Sequence, residues 1–316
     1  MTRQITIGTR ASPLALAQTE QIVAALQSAV GLPADAITVK KISTRGDEIL
    51  DRTLAEIGGK GLFTDELNAG LRDGSIDLAV HSLKDLPTAE APGLHSAAIP
   101  TREDPRDILI MPSPDGPIPA TLADLPEGAR VGTASLRRKA QILQARPDLD
   151  IVPLRGNIGT RLAKLSPDAV AATVLAMAGL NRMGYAAPDW QTLPPDIMVP
   201  AAGQGALAVQ CRADDAALIA QLAVLDDADT RACVTAERSF LAGLDGSCRT
   251  PIAALAILDS ANPRTALLHG RLLAENGTEF VEDTCRFDPA DLDAAYAAGA
   301  QLADNLRARA PHLVTA

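Results

Sequence analysis

The chain has 316 residues, of which 47% are hydrophobic and 2% aromatic, and its formal net charge is −10 at pH 7. At roughly 100–200 residues per domain, this length predicts two or three domains with buried cores. The acidic balance and scarce aromatic residues argue against non-specific nucleic-acid binding and base stacking, although a local basic pocket stays possible.

Targeting and metal-binding patterns are absent from the sequence. No apolar run approaches the ~18 residues of a membrane span, and the N-terminus turns polar too soon for a signal peptide. Cys211, Cys233, Cys248 and Cys285 form no C-x-x-C pair, and four scattered histidines complete no zinc pattern. We therefore expect no metal, no disulfide framework and a reducing cytoplasm.

The first elements predict a parallel sheet. Residues 4–8 form a short strand, and Ser12 followed by Pro13 provides an N-cap and a first helical residue. The helix ends at Gly31, and a second strand covers about 37–43. A strand, a crossover helix and a second strand in this order favour parallel pairing.

Residues 44–62 are charged and glycine-rich and include Lys60. They are not a Walker loop, because no Ser or Thr follows the lysine in the required frame. An ordinary surface loop and a mobile lid beside an active site are both compatible with this composition. We expect the next helix to run from Phe63 to Leu71 and to close near Gly74.

A buried strand at 77–80 leads into a polar segment that contains Lys84 and Asp85. Ligand sites in open α/β sheets collect beyond the carboxyl ends of strands, which makes Asp85 a candidate functional carboxylate. A helix cap or a local ion pair would explain the same position equally well. Two further strands are expected within 94–110, with a polar hinge at 100–106, and the proline-rich stretch 112–126 is expected to be a loop.

A second α/β unit follows, and cations open its first helix. The strand 130–132 turns through Thr133 and Ser135 into a helix that begins with Arg137 and Arg138. Cations in a first helical turn oppose the helix dipole, so this pattern predicts an anion bound there.

Further arginines follow the next strands. Arg155 and Arg161 come after a strand at 150–154, and Arg182 lies in the helix that begins after a strand at 169–174. Together with Arg10, Arg137 and Arg138 they predict an anion-binding cleft, the alternative being solvated surface charge. Arginine binds carboxylates bidentately, so the expected ligand is a small or extended molecule with several carboxylates.

The remaining chain returns to the first domain and then forms a third. We expect the strand 206–210 to rejoin the first sheet, with a helix at 214–225. A helix at 230–241, strands at 252–258, 266–274 and 279–287, and a helix at 289–309 predict a small α+β domain.

The loop after the first helix of that domain carries Cys248 beside Arg249. Positive charge lowers a thiol pKa and could activate it as a nucleophile, whereas a small buried apolar residue is the plainer interpretation.

The expected fold class is α/β. Two doubly wound domains like those of periplasmic binding proteins, 1–100 with 201–225 and 105–198, flank a cleft, and 228–316 form the α+β domain. Asp85 would belong to the first domain, the arginine-rich loops to the second and Cys248 to the third.

Seven motifs spread along the chain point to one family. They are TRASPLAL at 9–16, GGKGLF at 58–63, VHSLKDLP at 80–87, REDPRD at 102–107, GTASLRR at 132–138, LRGNIGTR at 154–161 and AGQGA at 202–206. With these motifs the chain resembles the porphobilinogen deaminase (hydroxymethylbilane synthase) family nearly end to end.

The resemblance implies a transferase of tetrapyrrole and heme biosynthesis, a cytoplasmic monomer without nucleic-acid or membrane partners. Such an enzyme joins four porphobilinogen units into hydroxymethylbilane, losing one ammonia each time, on a dipyrromethane cofactor held by a thioether to Cys248, and water then releases the product. Asp85 would stabilise the cationic pyrrole, while Lys60 and Phe63 match the lid and its hinge. The implied cofactor and substrate contacts are Arg10, Ser12, Lys84, Thr133, Ser135, Arg137, Arg138, Arg155, Arg161 and Arg182.

A non-catalytic two-domain anion-binding protein, similar to solute-binding proteins, is the alternative function. The absence of an export signal and of a DNA-binding segment counts against it, and it gives Cys248 no role.

Overall fold

The computed structural model describes residues 3–48, 61–113, 115, 118–185, 192–244 and 250–314. Within these ranges the chain divides into two compact units. The first unit comprises 3–48, 61–103 and 206–231, and the second comprises the described parts of 104–205 and 232–314.

Three sheets contain the strands of the described residues. The strands are β1 Ile5–Arg10, β2 Ile37–Ile42, β3 Leu78–Ser82, β4 Leu94–Ala98, β5 Asp107–Met111, β6 Ile118–Ala120, β7 Arg130–Gly132, β8 Asp150–Val152, β9 Ala172–Ala176, β10 Leu207–Arg212, β11 Ile252–Asp259, β12 Asn262–Leu273 and β13 Phe280–Phe287.

The α-helices of the same ranges lie between these strands, and the last one follows β13. They are α1 Pro13–Val30, α2 Arg45–Glu48, α3 Asp65–Arg72, α4 Leu136–Ala145, α5 Ile158–Ala163, α6 Met177–Arg182, α7 Ala216–Leu222, α8 Ala228–Gly243 and α9 Leu292–Arg309. In the part of the chain that is described, none of them combines the length and apolar character needed to cross a membrane.

The first unit is built on a five-stranded sheet in the order β2-β1-β3-β10-β4. The strands β1, β2 and β3 are mutually parallel, and β10 runs antiparallel between β3 and β4. The predicted parallel start is therefore confirmed, and so is the prediction that the strand near 206–210 rejoins the first sheet.

Helix α1 has the limits that its sequence predicts. The Ser12 hydroxyl accepts a hydrogen bond from the Ala15 amide at 3.3 Å, and Gly31 ends the helix in the left-handed region at φ 68°. The buried side chains of Ile22 and Leu26 pack into the core of the first sheet. Capping and an apolar stripe thus fix α1 against β1 and β3.

The second unit contains a five-stranded sheet in the order β6-β5-β9-β7-β8. The strands β7, β8 and β9 are parallel, whereas β5 is antiparallel to both β9 and β6. Both large sheets thus consist of three adjacent parallel strands, one reversed strand and a final strand in the original direction.

The prediction that 112–126 is entirely loop is wrong. Residues 118–120 form β6, in which Ala120 pairs with Leu109 and Ile118 pairs with Met111. The strand tolerates Pro119 because it lies at the edge of the sheet, where a missing backbone donor breaks no second ladder.

The C-terminal part of the second unit is an antiparallel sheet, β11-β12-β13, covered by α8 and α9. Phe240, Leu268 and Leu302 are fully or almost fully buried in its core. Gly299 of α9 allows close helix packing, since a Cβ there would lie 2.2 Å from the Ala236 carbonyl oxygen. The predicted antiparallel sheet with helices is confirmed, and the separate domain limits 228–316 stay a prediction.

Candidate functional site

The strand order of the first sheet brings Arg10 and Asp85 together. Arg10 ends β1, and Asp85 lies in the short 3-10 turn that follows the neighbouring strand β3. One guanidinium nitrogen of Arg10 lies 3.9 Å from Asp85 Oδ2, with the two side chains 22% and 32% exposed. The predicted carboxylate is therefore held beside a cation and stays reachable from solvent.

Phe63 fixes the position of Arg10 from a second side. The guanidinium carbon of Arg10 lies 4.2 Å from the centre of the Phe63 ring, a distance at which a cation is attracted to the aromatic face. Phe63 precedes α3 and was predicted to be a lid hinge, while its lid partner Lys60 lies outside the described residues. The segment 44–62, for which a surface loop and a lid were both left open, begins with the short helix α2.

His81 is a neighbour of Arg10 that the sequence did not single out. His81 is 5% exposed. Burial, and then the charge of Arg10, lower the pKa of His81 to about 4, although a hydrogen bond with Gln210 works in the opposite direction. His81 is consequently neutral at physiological pH, so that Arg10 supplies the positive charge beside Asp85.

Ser12 and Lys84 lie just beyond the carboxyl ends of the neighbouring strands β1 and β3. The Ser12 hydroxyl caps α1, and Lys84 directly precedes Asp85 and is half-buried. The Ser12 hydroxyl thus caps a helix, and the predicted ligand contact would use the same hydroxyl group.

In the second unit, Arg137 and Arg138 face a buried carboxylate of the protein itself. Asp107 is fully buried at the start of β5, and each of its oxygens lies 2.8 Å from a guanidinium nitrogen, one of Arg137 and one of Arg138. Burial works to raise the pKa of the Asp107 carboxyl, but the two guanidinium groups outweigh it and hold this pKa well below its usual range. The anion that the first-turn cations of α4 require is therefore partly internal.

Gln204 completes the surroundings of Asp107. Its amide nitrogen donates to Asp107 Oδ1 at 2.9 Å and to the Pro105 carbonyl at 2.6 Å. Asp107 and Gln204 lie in the motifs REDPRD and AGQGA, whose sequences alone indicate no role for either residue. The available signal was a carboxylate that opens an otherwise apolar strand.

The turn that leads into α4 is closed by its own hydroxyl groups. The Ser135 side chain accepts from the Arg138 amide at 3.4 Å, and the Thr133 hydroxyl accepts from the Ser135 amide at 3.2 Å. Both residues lie where the sequence predicted them, at the carboxyl end of β7.

Arg161 and Arg155 extend the positive charge beyond Asp107. Burial, followed by the charges of Arg138 and Arg155, lowers the pKa of Arg161 to about 10. Arg138 Nε and one terminal nitrogen of Arg155 are buried and have no hydrogen-bond partner among the described residues. We call Arg138, Arg155 and Arg161 the arginine cluster; its close cations and unused donors are suited to an anionic ligand.

Arg182 occupies a different position. It donates to the Gly205 carbonyl at 2.8 Å, in the turn that carries Gln204. Cys248 lies outside the described residues. Cys211 and Cys233 are buried and Cys285 is half-buried, and burial raises the pKa of Cys211 to about 11, as suits a structural thiol.

Two family models cover most of the chain. Residues 5–220 match the model described as "Porphobilinogen deaminase, dipyromethane cofactor binding domain", and residues 231–308 match "Porphobilinogen deaminase, C-terminal domain". The first match contains Asp85 and all members of the arginine cluster.

Curated relatives extend over nearly the whole chain. A porphobilinogen deaminase of Paracoccus denitrificans is 48% identical and covers 97% of this chain and 95% of its own length. A second, from Roseiflexus castenholzii, is also 48% identical over 94% of this chain and 95% of its own.

Solved structures give a much weaker similarity. A probable amino-acid ABC transporter extracellular-binding protein from Bacillus subtilis is 12% identical over 70% of this chain and 89% of its own, with a TM-score of 0.40. The α/β assignment accordingly rests on the two mixed sheets and their helices.

Proposed function

The chain belongs to the porphobilinogen deaminase family, and we propose that it joins four porphobilinogen molecules into hydroxymethylbilane. Each of the four additions breaks the carbon–nitrogen bond to a departing ammonia and forms one carbon–carbon bond, and one water would then cleave the bond that joins the product to the cofactor. The observation that carries this proposal is the arginine cluster with its buried unused donors, since porphobilinogen bears an acetate and a propionate.

The residues present fit a dipyrromethane cofactor. Among the described residues, one buried nitrogen of Arg138 and one of Arg155 have no acceptor, and burial, followed by the charges of Arg138 and Arg155, lowers the pKa of Arg161. Carboxylate side chains on a pyrrole chain would accept hydrogen bonds from these nitrogens and would offset the positive charge of the cluster. When bound through a thioether to Cys248, the group supplies the free ring position at which the growing chain is extended.

Asp85 is the proposed catalytic residue. Its carboxylate accepts hydrogen bonds from pyrrole N–H groups and stabilises the positive charge that develops as ammonia departs. Arg10 holds this carboxylate from one side, and the Phe63 ring keeps Arg10 in place. The ion pair thus orients Asp85 and leaves it partly exposed for the substrate.

The arginine cluster binds and orients the carboxylates of the pyrroles. Thr133 and Ser135 hold the turn that presents Arg138, and Arg137 anchors it through Asp107. Additional proposed contacts are Arg10, Ser12, Lys84 and Arg182, with Lys60 and Phe63 serving a lid. We further propose a cytoplasmic monomer whose partner is porphobilinogen and which uses neither nucleic acid nor membrane.

Intact-protein mass spectrometry combined with turnover assays tests the proposal. Protein from a host that supplies porphobilinogen should carry two pyrrole units and give a colour with Ehrlich's reagent, and Cys248→Ser should carry none. Asp85→Ala should fold and bind porphobilinogen but lose nearly all turnover, whereas exposed Asp73→Asn should be unaffected.

The alternative function makes the opposite prediction. A protein that binds pyrrole carboxylates, stays unmodified and turns nothing over would be a non-catalytic anion-binding protein. Near-normal turnover by Asp85→Ala would remove this residue from the mechanism.

A further inference from the structure

The hairpin of β12 and β13 rests on α4, the helix that carries Arg137 and Arg138. Gly277 lies in the turn of this hairpin at φ +72°. A Cβ atom at that position would lie 2.5 Å from the Gln144 amide nitrogen and 2.6 Å from the Ala140 carbonyl oxygen. The turn therefore touches the backbone of α4 directly, and only a glycine permits this approach.

Arg271 of β12 makes a second connection to the same helix. It is 3% exposed and donates to Gln141 Oε1 at 3.1 Å and to the Asp196 carbonyl at 2.9 Å. Its Nε donates to Glu282 Oε2 at 2.7 Å. The guanidinium is thus held by β13 on one side and reaches α4 on the other.

Gln141 passes this connection on to Arg137. It is fully buried; its oxygen also accepts from the Val199 amide at 2.8 Å, and its nitrogen donates to the Val199 carbonyl at 3.1 Å and the Arg137 carbonyl at 3.3 Å. Arg137 donates to the same Val199 carbonyl at 2.7 Å. All four hydrogen-bonding positions of the Gln141 amide are in use, so Gln141 has no freedom to compensate for a lost partner.

The network ends at the arginine cluster. Arg137 and Arg138 share the buried Asp107 carboxylate, and Arg138 lies near enough to Arg161 to affect its pKa. A continuous series of polar contacts thereby joins the β12–β13 hairpin to Arg138, whose Nε has no partner among the described residues. Because the series is buried, its members have no water to replace a missing bond.

We propose that Arg271 is a positioning residue for the arginine cluster: with Gly277, it holds α4 so that Arg138 presents its free donor to the pyrrole carboxylates. Arg271 does not touch the ligand in this role and acts through Gln141 and the helix. Since the role presupposes the proposed function, wild-type turnover of porphobilinogen is measured first, and its failure would count against that function alone.

The decisive measurement is the split between KM and kcat in the holoenzyme. Carboxylate binding holds the substrate and the transition state alike, so its loss raises KM and changes kcat little. Arg271→Met should raise KM for porphobilinogen by roughly tenfold, by analogy with the lower end of the loss seen when the partner that orients a metal ligand is removed. A loss of folded protein alone would lower kcat at unchanged KM.

Matched variants separate positioning from general damage. Arg286→Met removes an exposed arginine from the same sheet and should leave KM unchanged. Gly277→Ala should raise KM, whereas Gly128→Ala, which has the same backbone strain at φ +70° but open space around it, should not. Arg271→Lys keeps the charge beside Glu282 but lacks the fork that also reaches Gln141, so its KM should lie between the two extremes.

A double variant tests whether Arg271 acts through Arg138. If it does, Arg271→Met should raise KM much less in an Arg138→Met background than in the wild-type protein. Additive effects would place Arg271 outside this route and overturn the proposal.

The rate at which apoprotein takes up pyrrole units, followed by intact mass, gives a readout independent of turnover and should slow in Arg271→Met. Unchanged KM and loading in whichever of Arg271→Met, Arg271→Lys and Gly277→Ala fold would overturn the proposal. Failure of all three to fold would do the same, because the contacts would then serve folding and not position.

Discussion

Asp107 is the residue on which the buried cations of the second unit depend. Asp107→Asn would leave Arg137 and Arg138 buried without their counter-charge, and breaking a buried pair in this way lowers the free energy of unfolding by about 3–5 kcal/mol. Urea denaturation measures the loss. Asp104→Asn is the control, since Asp104 pairs with the exposed Arg106 and its loss should lower that free energy by about 1 kcal/mol or less.

The ion pairs of Asp107 with Arg137 and Arg138 make the stability of the folded protein depend on pH. The folded protein holds the pKa of Asp107 below the value of about 3.9 that an aspartate has in an unfolded chain. The stabilisation that the ionised Asp107 gives the folded protein is therefore complete above a pH of about 3.9 and declines as the pH falls below that value. The stability difference between wild type and Asp107→Asn should be constant between about pH 6 and pH 8 and should narrow below about pH 4, and a difference that grows in acid would contradict this assignment.

At this scale the sequence predicts the positions of charged residues better than their partners. Arg10 ends one strand and Asp85 follows another, and the rule that sites collect at carboxyl strand ends is sufficient to select both. Asp107 was missed because it begins its strand, and its pairing with Arg137 depends on how β5 and α4 pack. Local sequence carries no information on that packing.

Helix ends are the element whose energetics are most local. Asp291 precedes α9, and its side chain accepts from the amides of Asp293 and Ala294 at 2.9 and 3.1 Å. Asp291→Ala should lower the free energy of unfolding by about 1 kcal/mol, because two first-turn donors lose their acceptor and the helix dipole loses a favourable charge.

A control within α9 distinguishes capping from the loss of any surface carboxylate. Asp304 lies within the helix, is 68% exposed and contacts Arg307 at 3.5 Å. Asp304→Ala should change stability by less than about 0.5 kcal/mol, since exposed pairs one turn apart contribute little. Equal losses in the two variants, measured by thermal or urea unfolding, would rule out the capping explanation.

The topology of the elements can be predicted from the sequence where caps, apolar periodicity and element order are clear. Caps and apolar periodicity located α1, and the strand-helix-strand order predicted parallel pairing. The edge strand β6 was missed because a proline-rich sequence normally marks a loop, and pairing with β5 overrides that preference. The shared strand pattern of the two large sheets is a structural repeat that leaves no clear duplication in the sequence.

The largest feature of the molecule is that its first unit is assembled from distant parts of the chain. The strand β10 pairs with both β3 and β4, although the second sheet is inserted before it. Hydrogen bonds from the Ile99 amide to Asp226 and from the Arg102 amide to Thr230 fasten the returning segment. Without it, two strand edges of the first sheet would be left unpaired.

A fused variant tests this dependence on the whole chain. Residues 1–103 joined to 206–231 by a Gly/Ser linker of about ten residues, which spans roughly 16–19 Å on average, should form the complete sheet. We expect a single cooperative transition in urea and slow amide exchange in β10, because both of its ladders are restored. The fragment 1–103 alone exposes the edges of β3 and β4 and should aggregate or unfold without cooperativity. Cooperative urea unfolding of the fragment 1–103 would mean that the sheet is stable without β10. The pairing of β10 with β3 and β4 would then not be needed to stabilise the first unit.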